Sequence, residues 1–85
     1  MKIYYSSKFA REYKCLPKRI KYKAEKKEKI FRQNPFDPQL KTHRLTGRLK
    51  GYLSFSLDFK HRVIFEFIDE ETIWFHSVGT HDVYK

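Results

Sequence analysis

The chain has 85 residues, a formal net charge of +9 and 18% aromatic residues. That is length for one domain, residues 1–85, whose small core must draw on eight Phe, six Tyr and one Trp to bury enough apolar surface. A single cysteine, Cys15, excludes an internal disulfide and fits a reducing cytoplasm; no long apolar run or signal-peptide pattern argues for export or a membrane span.

Lys2–Tyr5 reads as a short strand, and Ser6 or Ser7 is placed to cap a following helix. Phe9, Tyr13 and Leu16 repeat at i, i+4 and i+7, the apolar stripe of a short helix ending before Pro17. Pro17 suits the first turn of a second helix, where its missing N–H costs nothing. Ile20, Ala24, Ile30 and Phe31 give that helix a thin apolar stripe; Glu25→Lys29 and Glu28→Arg32 support it at i, i+4, and Asn34-Pro35 stops it. A polar connection follows from Asn34 to Gly47. After Gly51 the period becomes two, in three runs at 52–57, 62–68 and 72–78 with tight turns at Asp58–Lys60 and Asp69–Glu71. The predicted fold is α+β: an N-terminal strand and a two-helix hairpin packed on a mainly antiparallel four-stranded sheet, in the order β-α-α-β-β-β.

Charge is distributed unevenly. Through Lys50 there are sixteen Lys/Arg against four Asp/Glu; from Gly51 onward there are three against six. The basic part suits a nucleic acid or another polyanion, although a lysine-rich helix that is merely solvated has the same composition.

The turns set a register. With Glu70 and Glu71 at the second hairpin tip, Arg62 falls opposite Gly79, just before His81, and Lys60, His61, Arg62, Thr80, His81 and Asp82 gather at one end of the sheet. An arginine beside a histidine suits phosphodiester cleavage by the ribose 2′-OH. Histidine moves protons near neutral pH, the guanidinium holds the crowded phosphate, and no metal or other cofactor is needed. Tyr84 can stack on a base or share proton transfer. Each has a plainer reading: Arg62 pairs with Glu66 or Asp58, His81 is one of four scattered histidines, and Tyr84 anchors the C-terminus. His43, His61, His76 and His81 have no short metal-ligand spacing.

Three stretches carry a resemblance: His43-Arg44-Leu45-Thr46-Gly47-Arg48-Leu49-Lys50-Gly51-Tyr52, His61-Arg62-Val63-Ile64-Phe65, and Val78-Gly79-Thr80-His81-Asp82-Val83-Tyr84. In these, and in element order over essentially its whole length, the chain resembles the RelE/ParE toxin superfamily, especially its YafQ-like and YoeB-like mRNA interferases. The resemblance implies the toxin of a type II toxin–antitoxin pair, a cytoplasmic endoribonuclease that cuts mRNA in the ribosomal A site and is neutralised by an acidic antitoxin. It places the family's catalytic arginine on Arg62, its C-terminal histidine on His81 and aromatic residue on Tyr84, and the histidine before the Leu-Thr-Gly turn on His43.

The resemblance is incomplete. Where YafQ-like enzymes have a second histidine and an aspartate, this chain has Ser56 and Lys60. The YoeB-like glutamate falls on Gln39, which cannot accept a proton at neutral pH, and a last-strand arginine becomes Ser77. The expected division of labour gives His81 the proton transfer, alone or shared with His43, and gives Lys50, Lys60 and Arg62 the phosphate. Lys41, Arg44, Arg48 and Lys50, with the second helix, form the expected surface for which RNA and antitoxin compete. The alternatives are a ParE-like inhibitor of DNA gyrase and a catalytically degenerate RNA-binding homologue.

Overall fold

Ser6 separates the first strand from the first helix. In the structure, a computed structural model that describes residues 1–80 and residue 83, its Oγ accepts the Phe9 N–H at 2.9 Å and donates to the His76 carbonyl at 2.6 Å. One side chain thus caps α1 (Ser7–Lys14) and ties it to the last strand. Leu16 lies beyond α1, and Pro17 is the N-cap of α2 (Lys18–Gln33). Of the two expected i, i+4 pairs, Glu28–Arg32 forms at 3.7 Å, and Glu28 also accepts from the Tyr5 hydroxyl at 2.7 Å. Burial, together with that carboxylate, pushes the Tyr5 phenol up to about 12.

The sheet consists of β1 (Lys2–Tyr5), β2 (His43–Arg44), β3 (Leu53–Ser56), β4 (Arg62–Phe67) and β5 (Thr72–Gly79), in the spatial order β1-β5-β4-β3-β2. β1 runs parallel to β5 and every other pair is antiparallel. The class is α+β as read from sequence, but the sheet has five strands rather than four. The addition is β2, where His43 and Arg44 pair with Ser54 and Leu53. Two residues between Pro38 and Gly47 are too few to display a period of two.

One face of the sheet carries both helices. Ile20 and Phe31 of α2 and Phe9 of α1 pack against Phe55, Val63, Phe65, Ile73 and Phe75. Phe31 is central, with its ring 5.0 Å from Phe55, 4.9 Å from Phe65 and 5.3 Å from Phe75. Between the helices an apolar groove of about 440 Å³ remains over the sheet, floored by Phe55, Val63 and Phe75 and edged by Lys14, Glu25 and Glu28. Among the described residues, no helix is long and apolar enough to cross a membrane.

Arg62 stands opposite Gly79 as the turns predict, and the same register continues through Val63–Val78 and Ile64–Ser77. It then shifts by one, to Phe65–Phe75, so β5 has a bulge at His76. Phe75 and Val78 both enter the core, and the two residues between them turn to the opposite face.

Candidate active site

The face of the sheet away from the helices is assembled by strand alternation. Ser56, Arg62 and Gly79 form one cross-strand row, and His43, Ser54, Ile64 and Ser77 form the next. Ser54, Ile64 and Ser77 are fully buried. Above this floor Tyr52, just before β3, stacks on His76 across the width of β4, with centroids 5.1 Å apart and planes 26° from parallel. Among the described residues the Ser77 hydroxyl has no hydrogen-bond partner.

Arg62 is half-buried and points back over the first hairpin turn. Its guanidinium donates to the Asp58 carbonyl at 2.9 Å and, more weakly, to the His61 carbonyl at 3.4 Å. Among the described residues neither the Asp58 nor the Glu66 carboxylate forms an ion pair with it, so the plainer pairing of Arg62 with either of these two is not what the structure has. Neutral carbonyls orient the group, and among the described residues no carboxylate neutralises its charge.

Asp58 spends its carboxylate on the turn. Its Oδ1 accepts the N–H groups of Lys60 at 2.9 Å and His61 at 2.7 Å and meets His61 Nδ1 at 3.0 Å. Burial pushes this carboxyl up, but the hydrogen bonds from the His61 backbone and ring and from the Lys60 N–H outweigh it, holding the acid down at about 2. His61 is itself buried and belongs to the turn.

His43 is exposed on the edge strand, its Nδ1 3.2 Å from the Lys41 carbonyl. Lys41 follows the 3₁₀ turn Pro38–Leu40 in the left-handed region, φ 53°. Lys41, Arg44, Arg48, Lys50 and Lys60 are all exposed. They do not converge. Arg48 and Lys50 lie at the β2–β3 connection, at one end of β3, while Lys60 and Arg62 lie at the other, about 13 Å of strand away. The backbone positions of Lys50 and of Lys60 and Arg62 are thus separated by the length of β3.

His81 and Tyr84 lie outside the described residues. Tyr52 and His76 were given no role in the sequence reading. The available signal was the three-residue spacing of core positions Phe75 and Val78, which breaks the alternation and places His76 beside Ser77 on the open face. Gln39 sits on the Pro38–Leu40 turn, its carbonyl accepting from Lys27 Nζ at 3.1 Å, and Ser56 is buried, so neither supplies an acid or base.

No protein-family model matches this chain, and no curated protein matches it in sequence. Solved structures do match in shape. YafQ from E. coli strain BL21(DE3) superposes with a TM-score of 0.81 at 23% identity, covering 96% of this chain and 94% of that one. The YoeB/ParE toxin from Agrobacterium tumefaciens gives 0.80 at 19%, over 95% and 99%. The chain shares the fold of these YafQ and YoeB/ParE toxin structures. A YoeB–YefM complex from Staphylococcus aureus gives 0.77 at 24%, over 95% and 97%. At these identities the fold is what the likeness carries.

Proposed function

We propose that this chain is the toxin of a type II toxin–antitoxin system and acts in the cytoplasm as a metal-independent endoribonuclease on mRNA in the ribosomal A site. The observation that carries the reading is Arg62, a cation oriented by neutral carbonyls on a YafQ/YoeB fold. Such a guanidinium is prepared to take a phosphate and stabilise the charge that builds as the 2′-oxygen attacks. His81 follows Gly79, the register partner of Arg62, by two residues and is assigned proton transfer; Tyr84 is assigned stacking on a base or a share in that transfer. His43, on the same face as Ser54 and Ser77, is the second titratable group offered to the 2′-OH. Lys60 assists at the scissile phosphate, and Lys41, Arg44, Arg48 and Lys50 hold the strand further along.

The proposed partner is an acidic antitoxin. Structures of the DinJ–YafQ and YoeB–YefM pairs show antitoxin-bound forms of those toxins. The apolar groove between α1 and α2, edged by Lys14, Glu25 and Glu28, suits the apolar face of an amphipathic segment that orders as it binds, and the chain's net charge of +9 favours an acidic one.

The test is mRNA cleavage on programmed ribosomes. Arg62→Ala and His81→Ala, each checked for folding, are expected to lose about 100-fold or more in rate. A folded wild type that leaves mRNA intact would falsify the nuclease reading, and gyrase inhibition would be assayed next.

A further inference from the structure

The tip of the β3–β4 hairpin holds an exposed aromatic on a stiff support. Phe59 is 90% exposed; no other large hydrophobic side chain among the described residues exceeds 59%. Its support is tied from several directions. Besides the Asp58 carboxylate bonds, the Leu57 N–H donates to the His61 carbonyl at 2.9 Å, and Arg62 clamps the Asp58 carbonyl. Arg19 of α2 comes within 3.9 Å of Asp58 Oδ2. The fold thus fixes the turn and leaves the ring in water.

We propose that Phe59 is a base-stacking residue for single-stranded RNA, holding one unpaired nucleobase while Lys60 and Arg62 take the adjoining phosphates. Charge selects this occupant. Lys60 is next in the chain and Arg62 opens β4 just behind; the neighbouring carboxylate, Asp58, has its Oδ1 on N–H groups and its Oδ2 paired with Arg19 of α2, so it does not offset them. A flat apolar ring among cations is the recognition surface for a base between phosphates. An apolar pocket of a protein would instead have to desolvate those cations. Because the turn is already ordered, stacking does not have to freeze a loop. The inference rests on the RNA reading of this end of the sheet and adds the contact that orients the strand beside Arg62.

The experiment titrates the full chain with a single-stranded 2′-O-methyl RNA oligonucleotide, which cannot be cut, and follows anisotropy for wild type, Phe59→Ala, Phe59→Leu and Phe59→Trp. Phe59→Trp should bind as tightly as wild type with its added indole emission quenched, and both Phe59→Leu and Phe59→Ala should bind about tenfold more weakly, as expected for losing one stacked base. Stacking is overturned if Phe59→Leu matches wild type, which is the pattern of apolar docking into a protein, if all three variants match it, or if wild type does not bind the oligonucleotide. Ribosomal cleavage run in parallel separates the two ideas. Phe59-dependent binding without cleavage keeps the stacking and removes the nuclease; cleavage indifferent to Phe59→Leu does the reverse.

Discussion

Asp58 sets the geometry of the candidate site without touching a substrate. Its carboxyl is held at about 2, below the ordinary aspartate range near 3.9, because the folded turn donates hydrogen bonds to the ionised form. The stabilisation is therefore complete above about pH 4 and lost as pH falls through the window down to about 2. Asp58→Asn should cost about 1 kcal/mol at neutral pH, less than the shift alone implies because the hairpin tip is solvated. Urea denaturation down to about pH 2 should show wild type and variant converging. A stability difference independent of pH would mean that the carboxylate's charge is not what matters. The sequence made Arg62 findable, since its place follows from counting residues around two turns. Its partner was not findable: a backbone carbonyl has no signature in the residue string, and the carboxylates at Asp58 and Glu66 were the visible candidates.

At the level of elements, the strands and helices were legible wherever apolar residues repeat over several positions. Ile20 and Phe31 fell on the buried side of α2, and the register through Ile64–Ser77 followed from the turns. What escaped was local. β2 is too short to have a period, and the bulge at His76 arises because Phe75 and Val78 both fill the core, a packing outcome that alternation alone does not foresee. The attachment of α2 to the sheet is concentrated in Phe31, which meets three other phenylalanine rings. Phe31→Ala should cost about 3–5 kcal/mol, read as a lower urea midpoint, because the void lies between rigid layers that cannot both move inward. A loss under 1 kcal/mol would indicate that the aromatic cluster repacks around the gap.

At the scale of the molecule, the cations at the two ends of β3 are spread along a line rather than gathered at a point. Arg48 and Lys50 stand at one end of β3 and Lys60 and Arg62 at the other, so on the proposed reading an RNA strand crossing the open face would meet them at different phosphates. Lys50→Ala and Lys60→Ala should each flatten the salt dependence of single-strand binding by about 0.7 in the log–log slope, and the double variant should lose both contributions. The measurement is affinity for the uncleavable oligonucleotide over a series of salt concentrations; a double variant no flatter than either single one would place both lysines on the same phosphate.

The parallel pairing of β1 with β5 sets Lys2 against Thr72 and Tyr5 against Phe75, joining the beginning of the chain to its last strand. During synthesis β1 therefore has no partner until β5 is made, and Phe9 of α1 lacks the Phe75 ring until then, whereas Phe31 of α2 can already meet Phe55 and Phe65. Contacts so distant along the chain form late. A truncated product released before β5 has neither a closed sheet nor the strand that faces Arg62. On the proposed reading such a fragment would lack the assembled site, and the ribosome that the finished protein is proposed to attack must first complete it.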